Sequence, residues 1–372
     1  MKVVFCTNIW NHHQGPVCAE LAKLLGKDFT LLLHQPLDHR YSIDRIKLGW
    51  NLIPPNEPWI VGPPKTCADV DYSDYVRYAM DADVLILDSI VPYLDFKMLA
   101  VRHRNGKMNF IMSERFFRKP RPWWYMLNPR KWCSWLIIHN RYEAACVHYL
   151  TMGHWVKTDL DFYHVCRGRV HQWGYLTPVS EKCTEKPSRD KVVIGWCGRM
   201  LFLKQVEFVL KAVSLLPPEV RAKCEVRLAG HGEAEESLRK LTVDLGLGDM
   251  VQFTGLMPHV KALEFLGELD IFVFPSGRYE GWGATLLEAM DKCCVPIANK
   301  AAGATLEVVE DGVNGFVFDD GDVELLAARL KWLVENPRQR RDMGHRSWET
   351  IQGWSPKAGA RRLVEIIKGN YK

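Results

Sequence analysis

Residues 271–290 read IFVFPSGRYEGWGATLLEAM and join a strand, a glycine-rich turn and a helix. The strand is predicted over Ile271–Pro275, and the turn Gly281–Gly283 feeds a helix that begins near Ala284. The first backbone N–H groups of a helix have no partner within it, and the helix dipole places partial positive charge at the same end. The segment therefore predicts an anion-binding site above the turn.

The same alternation of strand and helix runs through the second half of the chain. Further strands are predicted at Val192–Trp196, Glu225–Ala229, Val251–Thr254 and Val295–Asn299. Further helices are predicted to begin near Gln205, Ala234, Val260 and Val323. This alternation is typical of a parallel α/β sheet, which binds ligands beyond the carboxyl ends of its strands.

The first half shows a similar alternation, which predicts a second α/β domain. Its strands are predicted at Lys2–Thr7, Thr30–His34, Asp83–Leu87, Asn109–Ser113 and near Val147–Leu150, and its helices near Val17–Leu25, Lys131–Cys146 and Val156–His164. The polar stretch 178–190 has no periodicity and is predicted to link the halves. We therefore expect domains at 1–185 and 186–352, followed by a C-terminal segment, 353–372, with an amphipathic helix over Pro356–Ile367.

Composition agrees with a two-domain globular protein of 372 residues. The sequence holds no apolar run long enough to span a membrane, and its first residues do not have the pattern of a signal peptide. The 11 cysteines are odd in number and form no CxxC pair, so we expect buried free thiols, with Cys293 and Cys294 in a packing role. These features favour a cytoplasmic protein, with membrane association on the cytoplasmic face left open.

Four charged residues in the second half are candidates for binding a phosphorylated ligand. Arg199 and Lys204 follow a strand that ends in glycines, where the backbone can approach phosphate and the cations can pair with it. Glu280 and Glu288 are eight residues apart, too far for one helical pair, and are expected to contact two ends of an extended ligand. Glu288 lies in an apolar run, where an unpaired carboxylate is costly, so it should have a partner.

Taken in order, these motifs resemble the nucleotide-binding domain of the family-4 glycosyltransferases, which have the GT-B fold. The resemblance covers about residues 190–350 and rests on Gly198-Arg199 with Lys204, Gly230-His-Gly232, Phe253-Thr-Gly255, Asp270–Ser276, Glu280 through Glu288, and Glu307 through Phe316. It implies an α/β protein with two Rossmann-like domains facing across a cleft and a C-terminal helix packing back toward the N-terminal domain.

The resemblance also implies a function: retaining transfer of a sugar from a UDP- or GDP-sugar to a glycan or lipid-linked glycan acceptor, as in polysaccharide biosynthesis. It implies no metal and no cofactor beyond the nucleotide-sugar co-substrate. Arg199 and Lys204 would neutralise the diphosphate, Glu288 would bind the ribose, and Glu280 with the turn Gly281–Gly283 would hold the sugar. The complete set implied to bind the donor is Gly198, Arg199, Lys204, Gly230, Phe253, Gly281, Trp282, Gly283, Ala284, Thr285 and Glu288.

Two positions depart from the family pattern without removing a donor group. Gln205 replaces the glycine that commonly follows the lysine, and Gly303-Ala-Thr-Leu-Glu307 departs from the usual Gly-Gly-x-Pro-Glu. On the acceptor side, Glu114 stands in the loop where many relatives have a histidine. Glu114 is therefore one candidate for the polar catalytic group of the N-terminal half, and His12 and His13 are the alternatives.

Residues 114–135 hold six Lys or Arg, seven aromatic residues and one acid. This mixture suits an anionic membrane surface or a phosphate-bearing lipid-linked acceptor, and a packed acceptor loop is the alternative. Nucleic acid is not expected, because the net charge is only +5 and no binding motif is present. Asp81-Ala-Asp83 precedes a strand and is expected to be structural, and Asp159-Leu-Asp161 is expected on a solvated helix face.

Two other functions use the same two-domain plan. One is a sugar-nucleotide epimerase or hydrolase, which would consume the donor without an acceptor. The other is a catalytically inactive subunit that binds a nucleotide sugar, a reading that the intact set Arg199, Lys204, Glu280 and Glu288 disfavours.

Overall fold

The structure is a computed structural model that describes residues 1–47, 51–63, 66–67, 71–88, 94, 96–115, 129, 146–162 and 169–371. The chain divides into two compact units. Unit 1 comprises Met1–Thr177 and Ser355–Lys372, and unit 2 comprises Pro178–Trp354. The helix predicted near Lys131–Cys146 and most of the basic aromatic stretch 114–135 lie outside the described residues.

Unit 1 is built around a parallel sheet in the strand order β3-β2-β1-β4-β5-β6-β7. Its strands are β1 Val3–Thr7, β2 Phe29–Leu33, β3 Ile60–Val61, β4 Val84–Leu87, β5 Met108–Ser113, β6 His148–Met152 and β7 Val170–Trp173. Its helices are α1 Gly15–Leu25, α2 Arg40–Lys47, α3 Ser73–Asp81, α4 Phe96–Arg104, α5 His154–Phe162 and the C-terminal helix Pro356–Asn370. The C-terminal helix packs against α1 within this unit.

Unit 2 repeats the plan with the strand order β10-β9-β8-β11-β12-β13, and every strand pair is parallel. Its strands are β8 Val192–Cys197, β9 Cys224–Ala229, β10 Val251–Gly255, β11 Ile271–Phe274, β12 Val295–Asn299 and β13 Phe316–Phe318. Its helices are α6 Glu207–Ser214, α7 Pro218–Arg221, α8 Glu235–Asp244, α9 His259–Glu268, α10 Ala284–Asp291, α11 Thr305–Val308, α12 Val323–Glu335 and α13 Pro337–Gln352.

The strand order of unit 2 reverses between β8 and β11, which are neighbours in the sheet. In open parallel sheets a ligand crevice forms at such a reversal, beyond the carboxyl ends of the strands. The loop after β8 carries Arg199 and Lys204, and the loop after β11 carries the turn Gly281–Gly283. The topology therefore brings together the two segments that the sequence analysis identified as an anion site.

The linker predicted at 178–190 is packed onto unit 2, so the division between the units falls before 178 and not at 185/186. The reason is a set of specific contacts: the backbone N–H and the hydroxyl of Ser180 donate to the carboxylate of Asp291 at 2.5 and 2.8 Å. A disulfide joins Cys183 of the same segment to Cys293, whereas both were expected to be free thiols. Cys6 and Cys146 are buried, as expected.

The structure agrees with the prediction for one acidic motif of unit 1 and contradicts the prediction for another. The Asp83 carboxylate accepts the backbone N–H of Lys2 at 2.7 Å and so joins the starts of two neighbouring strands, the structural role expected for Asp81-Ala-Asp83. The expectation of a solvated face at Asp159 was wrong. Asp159 is buried and lies 3.5 Å from the guanidinium of Arg115, because α5 turns this side chain toward the end of β5. None of the described helices has the length and hydropathy of a membrane span.

Candidate functional site

Three loops at the carboxyl edge of the unit 2 sheet are held together by backbone hydrogen bonds. The N–H of Gly198 donates to Ala229 at 3.0 Å, and the N–H of Gly230 donates to Gly255 at 2.8 Å. Gly230 has φ +132°, and a Cβ built on it would overlap the carbonyl oxygen of Gly198. Glycine is therefore required at Gly230 for the close approach of the β8 and β9 loops.

The turn before α10 presents backbone N–H groups that have no acceptor in the part of the chain that the structure describes. Gly283 caps the helix with φ +104°, and no side chain caps it. Among the described residues, no acceptor is found for the backbone N–H groups of residues 281–285. The neighbouring segment supports the turn, since the N–H groups of Gly303 and Ala304 donate to Glu280 and Trp282 at 3.2 and 3.0 Å. The result is a preformed cluster of donors at a helix N-terminus, which is suited to an anion.

Lys204 and Glu280 form an ion pair beside this turn. Lys204 ends the short 3-10 helix Phe202–Lys204, and Glu280 lies directly before the turn. Both side chains are largely buried, at 19% and 13% exposure, so solvent screens the pair weakly. The two residues were assigned to different parts of a ligand, and the structure shows that they also neutralise each other. Arg199 is exposed and has no ion-pair partner within the described residues.

Gln205 adopts a left-handed conformation with φ +52° at the end of that 3-10 helix. Glycine reaches this region at lower cost than other residues, which is a physical reason for a glycine at the corresponding position of relatives. The glutamine replaces it without moving Lys204 away from Glu280. The departure noted in the sequence therefore leaves the cation in contact with the turn.

Glu288 is buried at 9% exposure on α10, and its carboxylate lies 2.9 Å from Nε2 of His259. His259 is the first residue of α9, which places its ring over the first turns of α10. Sequence reasoning expected a partner for Glu288 and missed this one, because nothing in a lone histidine after a proline indicates a contact 29 residues away. The hydrogen bond to Glu288 raises the pKa of His259 above its ordinary value of 6.5, and burial opposes the shift.

The ion pair between His259 and Glu288 should make a pH-dependent contribution to stability. Because the pKa of His259 is raised by folding, the contribution is fully present below pH 6.5 and is lost as the pH rises through the folded-state pKa. His259 is 41% exposed, so the contribution should stay below about 1 kcal/mol. NMR titration should show His259 titrating above 6.5 in the wild type and closer to 6.5 in Glu288→Gln. If His259 titrates in the same way in the variant, it does not form an ion pair with Glu288.

The charge of Glu288 also affects the thiol of Cys197 at the end of β8. Burial, with the nearby Glu288 charge as a second cause, raises the pKa of Cys197 to about 12. Cys197 therefore stays a neutral thiol at physiological pH and cannot serve as a nucleophile. The electrostatic effect of Glu288 on Cys197 nevertheless shows that the end of β8 lies near the first half of α10.

Phe253 lies at a different place from the charged residues of the site. Its ring packs beneath the guanidinium of Arg239, 4.3 Å from the ring centroid, and against the core of unit 2. Arg239 is itself paired with Glu235 on α8. A role of the Phe253 side chain in binding a ligand therefore stays a prediction.

The candidate residues of unit 1 converge on one tyrosine. The hydroxyl of Tyr175 donates to the carboxylate of Glu114 at 3.0 Å, and the ring of His13 lies 5.1 Å from the Tyr175 ring. The rings of His12 and His13 are 3.9 Å apart. Glu114 and His13, which were alternatives in the sequence analysis, thus belong to one polar cluster at the carboxyl edge of the unit 1 sheet. Tyr175 was not anticipated, because it lies in the segment after β7, which was not predicted.

Comparison with known proteins agrees with this geometry. The model of the family described as glycosyl transferases group 1 matches residues 181–349. An uncharacterized glycosyltransferase of Methanocaldococcus jannaschii is 31% identical over 174 residues, which are 46% of this chain and 43% of that protein. The GDP-mannose-dependent alpha-(1-6)-phosphatidylinositol monomannoside mannosyltransferase of Mycolicibacterium smegmatis is 28% identical over 191 residues, 48% of each chain. The chain thus spans about half the length of the curated relatives that it matches.

A likeness to solved structures extends over the whole fold. The HepE protein of Anabaena, crystallised in complex with UDP, superposes with a TM-score of 0.71 at 16% identity and covers 99% of this chain and 100% of its own. At that identity the likeness concerns the fold alone. Residues 181–349 are therefore similar to the domain of the glycosyl transferases group 1 family, within a chain that has the two-domain GT-B fold.

Proposed function

We propose that this protein is a retaining glycosyltransferase that uses a UDP- or GDP-sugar and transfers the sugar to a glycan or lipid-linked glycan. One observation carries the proposal: the N–H groups of residues 281–285, which have no acceptor among the described residues, lie between Glu280, the partner of Lys204, and the helix that carries Glu288. A nucleotide sugar offers a diphosphate, a ribose and a sugar in a fixed order. The crevice offers an anion site, a buried carboxylate and a lysine–glutamate pair to match them.

The chemical role of the crevice follows from where charge develops. Breaking the bond between the anomeric carbon and the diphosphate oxygen leaves negative charge on the diphosphate. The N–H groups at the α10 terminus are preformed, and the ammonium of Lys204, held by Glu280, lies beside the same turn, so these groups are proposed to stabilise the leaving group with little reorganisation. These groups supply the positive charge that a metal would otherwise supply, which supports a metal-independent reaction. Arg199, exposed on the same loop, adds a second cation.

Glu288 is proposed to accept hydrogen bonds from the ribose hydroxyls. It is buried beside His259, and its two oxygens give it the capacity to serve the imidazole and a hydroxyl together. Glu280, held by Lys204, is proposed to orient the transferred sugar. In unit 1, Glu114 with Tyr175 and His13 is the proposed acceptor-side group.

The base and the acceptor are proposed from relatives. The Anabaena structure holds UDP, and the Mycolicibacterium relative uses GDP-mannose, so both nucleotides stay candidates. The latter relative glycosylates a phosphatidylinositol monomannoside. A lipid-linked acceptor would also suit the basic aromatic stretch 114–135, for which we propose peripheral contact with anionic lipid on the cytoplasmic face.

Thermal denaturation with UDP, GDP and ADP tests the proposal first. A ligand at 100 times its Kd stabilises the folded state by about 2.7 kcal/mol, which should raise Tm by roughly 5–10 °C for a domain of this size. We expect UDP or GDP to produce this shift and Glu288→Gln to reduce it. No shift with any of the three at millimolar concentration would refute the donor site.

Product analysis then separates the possible reactions. The protein is incubated with the binding nucleotide sugar, with and without a lipid and glycan extract. Consumption of the donor only in the presence of the extract identifies a transferase, whereas consumption without it identifies a hydrolase or epimerase. Binding without any consumption identifies a catalytically inactive subunit.

A further inference from the structure

A second pocket in unit 2 lies at the opposite edge of the sheet from the anion turn. It has a volume of about 310 Å³ and is lined by Cys183, Cys293, Lys186, Asp270, Arg340 and Arg341, among others. Asp270 comes directly before β11, and Cys293 lies two residues before β12, so the pocket lies at the amino ends of these strands. The proposed donor site does not use it.

Cys293 has an unusual backbone conformation for its residue type. It follows the end of α10 with φ +58°, in the left-handed region where helix ends favour glycine. Among the described residues, the only other residue besides glycine with positive φ is Gln205 of the donor site. Strain of this kind persists where the side chain has a role that offsets it. Here the side chain is turned toward Cys183.

The two cysteines are positioned for a reversible bond. Their Cα atoms are 6.0 Å apart, within the range of disulfides, although 110 residues separate them in sequence. The backbone N–H of Thr184 donates to the Cys293 sulfur at 3.1 Å, a contact that would also stabilise its thiolate. Cys293 is 6% exposed, whereas Cys183 is half-buried, so an external reagent reaches Cys183 first.

The pocket around the pair is cationic. Lys186, Arg340 and Arg341 line it against the carboxylates of Asp270 and Glu185. The carboxylate of Asp270 accepts the backbone N–H of Val193 at 2.8 Å and acts electrostatically on Arg340, so three cations face two carboxylates in the pocket. Arg341 is exposed and has no ion-pair partner within the described residues. A small reagent that carries carboxylates is therefore favoured over a cationic one.

We propose that Cys183 and Cys293 form a thiol–disulfide exchange site that takes a small anionic disulfide from this pocket. The thiolate of Cys183 attacks one sulfur of the disulfide RSSR, so that a mixed disulfide forms and one RS⁻ leaves. The thiolate of Cys293 then attacks the Cys183 sulfur, which forms the intramolecular disulfide and releases the second RS⁻. The two protein thiols lose two protons and two electrons, and RSSR is reduced to two RSH.

The test compares an anionic with a cationic oxidant on the full chain. The protein is reduced, freed of reductant and treated with glutathione disulfide, whose halves carry net negative charge, or with cystamine, which carries two ammonium groups. Alkylation of the remaining thiols and peptide mapping follow the formation of the Cys183–Cys293 bond. The measured quantity is the ratio of the oxidation rate with glutathione disulfide to the rate with cystamine. It is compared between the wild type and the double variant Lys186→Gln/Arg341→Gln. The control is Lys240→Gln, which removes an exposed charge on α8.

We expect the Cys183–Cys293 bond to form with both reagents. The ratio should fall roughly tenfold when the two pocket cations are removed and should not change in Lys240→Gln. Cys293→Ser should accumulate the mixed disulfide on Cys183. Oxidation that leaves Cys183 and Cys293 unpaired, or a ratio that is the same in all three proteins, overturns the proposal. If the double variant does not fold, the measurement is repeated with Arg341→Gln alone.

Discussion

Replacement of Lys204 by alanine is expected to lower turnover roughly 10–100-fold or more, because it removes an oriented positive charge from the leaving diphosphate. Arg199→Ala should have an effect of the same size, since its guanidinium lies on the same loop. The measurement is single-turnover release of the nucleoside diphosphate under saturating donor, which reports the chemical step. Lys211→Ala removes an exposed lysine on α6 and is the matched control for net charge.

The pairing of Lys204 with Glu280 complicates a single substitution, because Lys204→Ala leaves the largely buried Glu280 carboxylate without its partner. A double-mutant cycle with Glu280→Gln separates the two effects. If the loss came only from the unpaired carboxylate, Lys204→Ala would have little effect on turnover in the Glu280→Gln background, where that carboxylate is already absent. If Lys204 acts on the diphosphate, Lys204→Ala lowers turnover in the Glu280→Gln background as well. Full activity of Arg199→Ala combined with Lys204→Ala would exclude both cations from the reaction.

The parts of unit 2 that the sequence predicted well are those where one local signal suffices. Val295–Asn299 was predicted with its observed bounds, and α10 begins at Ala284 as expected, because an apolar run or a glycine turn marks each of them. β13, Phe316–Phe318, and α13, Pro337–Gln352, were missed. The first is only three residues long, and the second is so polar that its buried face gives little periodic signal.

In the candidate site, too, local signals were predictive and long-range contacts were not. The order of motifs predicted its glycines and charged residues but did not predict their partners. The contacts of Glu288 with His259 and of Cys183 with Cys293 join residues that are distant in sequence, and nothing local in either residue indicates its partner. Cysteine pairing in particular cannot be deduced from spacing. Solvent exposure was also misjudged at Asp159, since periodicity alone does not show which side of a short helix is covered.

Substitution of Gly230 by alanine is expected to destabilise unit 2 by about 2–4 kcal/mol, the combined cost of overpacking and of an unfavourable φ. A Cβ at Gly230 would overlap the carbonyl oxygen of Gly198, which is backbone and cannot rotate away. The β8 and β9 loops must then separate, and the loop that carries Arg199 moves with them. The measurement is the urea midpoint of unfolding together with the affinity for UDP or GDP.

Gly246→Ala provides the control for backbone conformation in this experiment. Gly246 also has positive φ, at +66°, but a Cβ there would meet no atom within 4 Å. Its substitution therefore has the cost of a positive φ without the clash, and the difference between the two variants reports the clash at Gly230 together with the higher cost of its φ of +132°. Equal loss of stability in both would mean that the β8 and β9 loops can separate freely. Since the N–H of Gly230 also donates to Gly255, such freedom would have to extend to the end of β10, and the carboxyl edge of the sheet would not be the rigid support that the proposed donor site requires.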